Sequence, residues 1–354
     1  MQRNPLSGPD AWHGRDIAAS RRWIRDLDGP TVARLEEAVA ALRGRPWREV
    51  TREDFAIPAL DGLLAGIAEE LEHGSGIVKL RGLPVDRLGE EDLRRLLFGL
   101  GSRLGTPRFQ NRSGELMRAI RDEGAHVGRT YGQLEVGGTG KAFLSSYART
   151  LTNGALRFHT DRTDVVGLLC VRQARAGGTS RLVSTPAIHN AMLERRPDLL
   201  DELFGDYWRS RFGEEGETRD SVYRLPVFGL RDGRFTSHFS LTFIEAAQLV
   251  DGVPRLTKRQ QEAIDMLLAL AEELCFEMVL EPGDLQLVNS HVTYHGRTPF
   301  EDDAASGRDR LLLRIWLSMP GNRPLPSGHE VLWGEVEAGR PRGGIGQAAA
   351  TSGA

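Results

Sequence analysis

The sequence predicts an α/β protein with a mainly β core, a jelly-roll barrel flanked by helices and preceded by a helical N-terminal layer. Two observations predict it. Over the first hundred positions apolar residues recur at three- and four-residue spacing, the period of an amphipathic helix. From about Ala142 onward, short valine- and leucine-rich runs alternate with turn signals, the texture of antiparallel strands and hairpins. Helices followed by a run of strands suggest a helical layer packed on a β core.

Pro30 starts the first predicted helix, with Val32, Leu35, Val39 and Leu42 on one face; proline is favoured at a first helical position. A second helix begins at Pro58, carries Leu60, Leu63, Leu64, Ile67 and Leu71, and stops at His73-Gly74, a good C-terminal signal. GIVKLRGLPV, from Gly76 to Val85, reads as a strand. Glu90 to Leu104 returns to helix through Leu93, Leu96, Leu97, Leu100 and Leu104. Arg108 to Gly140 is glycine-rich and charged, consistent with a mobile loop near a functional site. Beyond it, VVGLLCV, SRLVS, RLPVFGL and RFTSHFSLTF read as strands. Two helices interrupt them, one from Pro186 through ERRPDLLDELF and one over Thr257 to Cys275. FEMVL, DLQLV and RLLLRIWLSM return to strand.

Of the 354 residues, 40% are apolar and 27% charged, so the chain can bury a sizeable core. The net charge of −3 lacks the basic excess of a nucleic-acid binder. Cys170 and Cys275 each sit in an apolar run and read as two buried thiols; no disulfide framework is implied, which fits a reducing compartment. The first residues have no apolar signal region, and no apolar run reaches the ~18 residues of a membrane span. A cytoplasmic protein with no membrane partner is expected, and a homo-oligomer is the base-rate expectation.

The chemistry concentrates in RFHTDRTD and YHGRTPF. In an extended strand residues i and i+2 share a face, so His159 and Asp161 could reach one metal ion; a surface hydrogen bond is the plainer alternative. His295 follows the strand-like DLQLVNSHVTY and precedes Gly296. Two imidazoles and one carboxylate make the facial set of non-haem iron(II) oxygenases, with three positions left open. His291 shares parity with His295 and rivals it; Asp164 rivals Asp161 but has the wrong parity relative to His159. Arg310 and Arg314, in GRDRLLLRIWLSM, share a face of a strand that looks buried on both sides. Buried guanidiniums are costly unless they meet anions, so they serve either as structural ion pairs or as a fork for a carboxylate. His238 reads as a core or channel-lining residue.

The order His-x-Asp, a Gly-Gly turn about fifteen residues later, then His and a downstream Arg resembles the taurine dioxygenase/TfdA family over roughly Gly76 to Met319. The resemblance implies a double-stranded β-helix, iron(II) as metal, and 2-oxoglutarate and O2 as co-substrates. It implies an oxygenase that hydroxylates or desaturates a small, anionic or amino-acid-like molecule while 2-oxoglutarate becomes succinate and CO2. His159, Asp161 and His295 would be the metal ligands. Arg310 would bind the far carboxylate of 2-oxoglutarate, Ser180 would assist it, and Arg314 would serve either 2-oxoglutarate or an anionic substrate group. On this reading residues 1–75 form the helical layer, 76–344 one β-helix domain and 345–354 a flexible tail. Two alternatives remain open: a zinc hydrolase using the same three ligands, and a barrel that binds metal without turnover.

Overall fold

The computed structural model describes residues 4–135, 142–214 and 222–346. Two sheets face each other. The larger runs in the order Ile24–Asp26, Ile77–Arg81, Leu285–Asn289, Val165–Arg172, Leu311–Ser318 and Thr106–Pro107, with Met117–Ile120 also paired to Leu311–Ser318. The smaller runs Phe276–Met278, Ser180–Ser184, Thr293–Arg297, Leu156–His159. Every pairing in these two sheets is antiparallel except the parallel edge between Ile24–Asp26 and Ile77–Arg81.

Side chains alternate across each strand, and the alternation builds three apolar layers. On the outer face of the larger sheet, Val78, Leu80, Val165, Leu169, Leu285, Leu287, Leu313, Ile315 and Leu317 meet the N-terminal helices. Those helices span Gly29–Ala41, Asp61–Glu72 and Glu90–Leu104. Full burial of one leucine is worth roughly 1.5–3 kcal/mol, so this seam fixes the helices on the sheet more than their propensity does. Gly101 marks the close approach: a Cβ there would lie 2.6 Å from Ile315 Cδ1. Between the sheets lie Ile77, Val166, Cys170, Leu182, Phe276, Met278, Val288, Leu312 and Trp316. Outside the smaller sheet, Phe158, Val183 and Tyr294 pack on the helices Thr185–Arg195, Pro197–Leu203 and Lys258–Leu274. The last of these opens with a capping box in which Thr257 and Gln260 satisfy each other's backbone N–H, the reciprocal arrangement expected of that motif.

The chain then doubles back. Gly344 N donates to Arg162 O at 2.7 Å and Ile345 N to Phe109 O at 2.8 Å, so this segment is laced to the loop after Asp161. Ile345 is accordingly buried where the sequence suggested a tail; residues 347–354 lie outside the described residues.

Several elements differ from expectation. SLTF continues as the helix Leu241–Ala247, not as strand; Phe243, Ile244, Ala246 and Ala247 are buried, and burial overrides their β preference. DLQLVNSHVTY is not one strand: it breaks into Leu285–Asn289 and Thr293–Arg297. The uncertain stretch 108–140 contributes Met117–Ile120 to the large sheet and a short helix, Val127–Tyr131; residues 136–141 lie outside the described residues. Cys275 is only partly buried, because it caps the helix Lys258–Leu274 and turns its sulfur toward Arg181 Nη2 at 3.4 Å. No helix among the described residues is long and apolar enough to cross a membrane.

Candidate functional site

The inward faces of the two sheets carry the polar residues. His159 closes the strand Leu156–His159, and its Cα partner across the ladder is His295. Thr160 is held on both sides by Phe239, its N–H donating to Phe239 O at 2.8 Å and its hydroxyl accepting from Phe239 N at 3.1 Å. This anchor carries the chain round to Asp161. The result brings one ligand atom from each of His159, Asp161 and His295 within 4.8 Å of one another. Asp161 Oδ1 lies 3.8 Å from His159 Nε2 and Oδ2 lies 3.8 Å from His295 Nε2.

The surroundings suit a metal. His159 Nδ1 sits 2.9 Å from Arg157 O; a proton on Nδ1 makes that bond and leaves the Nε2 lone pair for a cation. Burial, together with His159 and Arg314, pushes His295 down to about 3 against the pull of Asp161, so its imidazole is neutral at ordinary pH. Burial acts to raise Asp161, but Arg314, His295, His159 and the Trp316 N–H together hold its carboxyl below the usual range. Trp316 Nε1 donates to Asp161 Oδ2 at 3.0 Å. Two imidazole nitrogens and one carboxylate fit iron(II) with open positions.

Beside the three lies a small cavity whose wall includes His159, His295, Ser180, Arg297, Arg310 and Arg314. Arg310 is 7% exposed, and its Nη1 has no hydrogen-bond partner. Burial pulls its guanidinium down to about 10. Its backbone N–H donates to Asp302 Oδ1 at 2.9 Å, which anchors the entry to the last strand. The Gly-Gly turn matters here. Gly178 has φ +71°, and a Cβ on it would lie 3.0 Å from Arg310 Nε. Ser180 Oγ donates to Gln286 Oε1 at 2.5 Å across the two sheets, and Gln286 Nε2 is buried without a partner. Arg314 Nε donates to Gln110 Oε1 at 2.7 Å, its guanidinium lies over Trp316, and Nη1 is 3.7 Å from Asp161 Oδ2.

A family model described as "Taurine catabolism dioxygenase TauD, TfdA family" matches residues 40–316. The chain belongs to this family. It is an iron(II)- and 2-oxoglutarate-dependent dioxygenase. Among curated relatives, FR-33289 synthase of Streptomyces rubellomurinus is 29% identical over 351 residues, covering 96% of this chain and 98% of the relative. Taurine hydroxylase-like protein SAT17 of Stachybotrys chartarum is 27% identical over 320 residues, covering 88% and 79%. Among solved structures, asparagine oxygenase with Fe(II), 3-hydroxyasparagine and succinate superposes with a TM-score of 0.64 at 20% identity, covering 84% of this chain and 93% of that one. The non-haem iron oxygenase OrfP with Fe and α-ketoglutaric acid gives 0.59 at 17%, covering 83% and 94%. The mixed α/β fold is thus that of other oxygenases in three dimensions.

The six residues singled out from the sequence lie together: His159, His295, Ser180, Arg310 and Arg314 on one cavity wall, with Asp161 at its edge. The rivals lie elsewhere. His291 sits in the turn after Asn289, and its Nε2 bonds Asp164 Oδ1 at 2.9 Å. Asp164 also accepts from donors of the returning chain, among them Asn322 and Arg342. His238 is buried, its Nδ1 accepting from Arg209 Nη1 at 2.9 Å. Gln110, Gln286 and Arg297 escaped sequence reading. Only Arg297 left a signal: it shares the parity of His295 on one strand.

Proposed function

We propose that His159, Asp161 and His295 hold the iron, and that Arg310 with Ser180 holds the far carboxylate of 2-oxoglutarate. The observation that carries this reading is the cavity shared by two of the three ligands, His159 and His295, and by Arg310 with its unpaired Nη1. Arg314, beside Asp161 on the same wall, would face an anionic or amino-acid-like primary substrate. The asparagine and arginine derivatives bound to the neighbouring oxygenases support that class. The two facing sheets would form the family's double-stranded β-helix, with residues 76–344 as one oxygenase domain and residues 1–75 packed on it.

Bound iron(II) supplies the oxidising chemistry, in which 2-oxoglutarate becomes succinate and CO2 and a C–H bond of the substrate is hydroxylated. The protein supplies position and a dry pocket. Arg310 and Ser180 would hold one end of 2-oxoglutarate and so position the other end for the triad. Trp316 and Arg157 orient the Asp161 and His159 ligand atoms. Leu156, Leu168, Leu280 and Leu312 line the cavity and exclude water. A hydrolytic reading on zinc would need a general base, and among the described residues the cavity wall carries no aspartate or glutamate.

The test is an oxygen-free titration of the iron(II) protein with 2-oxoglutarate, recorded as a visible charge-transfer band. The band is expected in the wild type, absent in His159→Ala, and displaced to much higher 2-oxoglutarate in Arg310→Ala. A folded, iron-loaded protein that gives no band would defeat the assignment.

A further inference from the structure

Arg297 ends the strand Thr293–Arg297, two residues after His295, so the two side chains share the inward face. Its Cα partner on the neighbouring strand is Ser180, which places it beside the hydroxyl already assigned to 2-oxoglutarate. The residue is 5% exposed. One of its nitrogens is spent on the backbone: Nη2 donates to Thr152 O at 2.6 Å and also to Gly154 O. The other two, Nε and Nη1, are buried with no hydrogen-bond partner, as is Arg310 Nη1. Both guanidiniums lie over one aromatic ring, with Cζ 4.7 Å from the Phe300 centroid for Arg297 and 5.2 Å for Arg310. Both line the same cavity.

Two buried guanidiniums on one ring, with three unpaired nitrogens between them, form a site suited to an anion. An aromatic face attracts a cation but accepts no N–H···O bond, and a buried charge without acceptors is costly. Like charges side by side add to that cost. A carboxylate answers all of it, since its two oxygens accept about four hydrogen bonds and bonds between two charged partners are the strong ones.

We propose that Arg297 is a second guanidinium for the far carboxylate of 2-oxoglutarate, closing on it from the Ser180 side while Arg310 closes from the last strand. The inference rests on the reading that this cavity takes 2-oxoglutarate. Nη2 pins the 152–154 turn and fixes the plane of the guanidinium; Nε and Nη1 do the binding. With both arginines in place, an oxo acid lacking the far carboxylate leaves two charges unneutralised, so the pocket discriminates strongly for a dicarboxylate.

The experiment compares 2-oxoglutarate with 2-oxopentanoate, which carries a methyl group where the far carboxylate stands. Dissociation constants come from the visible band of the oxygen-free iron(II) protein, for the wild type, Arg297→Gln, Arg297→Lys and Arg310→Gln. Arg297→Gln is expected to weaken 2-oxoglutarate roughly 10- to 100-fold, the weight of a charge-assisted bond, and to leave 2-oxopentanoate within about twofold of wild type. Arg297→Lys keeps the charge and the fold and should recover part of the preference. If Arg297 only supports the 152–154 turn, its variants weaken both oxo acids by the same factor and the preference stays at the wild-type value; that result overturns the proposal. Should Arg297→Gln not fold, the Lys variant alone decides, since a merely structural lysine would leave the preference unchanged. An unchanged preference in Arg310→Gln as well would mean that the cavity itself has been misread.

Discussion

His291 Nε2 lies 2.9 Å from Asp164 Oδ1, a second buried histidine–carboxylate pair besides His295 and Asp161. Each member is a near neighbour in sequence of a proposed ligand, Asp164 of Asp161 and His291 of His295. What separates the pairs chemically is the company they keep. Asp164 also accepts from Ser318 Oγ, Met319 N, Asn322 Nδ2 and Arg342 Nε, leaving no lone pair for a metal. It ties the returning C-terminal segment to the ligand loop.

Removing that acceptor should therefore damage the fold rather than the metal chemistry. Asp164→Ala strands the buried Arg342 guanidinium and the His291 N–H, and breaking a buried charged pair on one side typically costs about 3–5 kcal/mol. Asp164→Asn, which keeps the shape and part of the acceptor capacity, should cost less than half as much. Urea unfolding followed by far-UV circular dichroism reads both. An Asp164→Ala protein as stable as wild type would show that the network contributes nothing.

The same pair sets an acid limit. Burial, partly opposed by the bond to Asp164, pushes His291 down to about 4. The unfolded chain, with an ordinary histidine near 6.5, binds the proton first. Stability from this group is fully present above about pH 6.5 and drains as pH falls toward about 4. Asp164 extends the loss to lower pH: burial raises it, but His291, Arg342 and Asn322 outweigh that and hold its carboxyl well below the usual range. Melting temperature should fall between pH 6.5 and 4, and His291→Gln should flatten that slope. A slope unchanged in the variant would assign the acid sensitivity to other groups.

Trp316 offers a gentler probe of the metal centre. Its indole N–H holds Asp161 Oδ2, while its ring packs between the sheets with Val166 and Val288. Trp316→Phe keeps most of the packing and deletes the donor. Loss of such an orienting bond usually costs about 10- to 100-fold in metal affinity. Competition against a chromophoric iron(II) chelator measures it, and an affinity within twofold of wild type would mean that Arg314 alone orients the carboxylate.

How far the sequence reached depends on the range of the interactions. The helix Glu90–Leu104 was legible to the residue because Gly89 and Gly105 bracket a leucine periodicity that is complete within itself. His159, Asp161 and His295 were singled out by residue chemistry and the family's spacing; strand parity did not separate His295 from His291, and the strand ends at His159, short of Asp161. The break at 290–292 carried a signal that went unread: Asn289-Ser290 is a turn pair, and Asn289 Oδ1 accepts from His291 N at 2.9 Å, while the His291 ring is bonded by Thr236 and Asp164. Sequence could not couple Gln110 to Arg314, which are 204 positions apart. Arg297 was in plain view beside His295, but its value lies in the absence of partners, which only packing discloses.

Gly178 provides the last test, because the Gly-Gly turn that helped identify the family has a measurable reason here. Its φ of +71° and the 3.0 Å that would separate an added methyl from Arg310 Nε make two separate demands. Left-handed backbone costs a non-glycine residue about 1–2 kcal/mol, and the methyl would push on the guanidinium proposed to hold 2-oxoglutarate. Gly178→Ala should thus lower the melting temperature by a few degrees and raise the 2-oxoglutarate KM with a smaller change in kcat. Gly307→Ala, also left-handed at +70° but with open space around it, should show the stability loss alone. Equal effects of both variants on KM would remove the contact with Arg310 from the explanation and leave backbone strain as the whole of it.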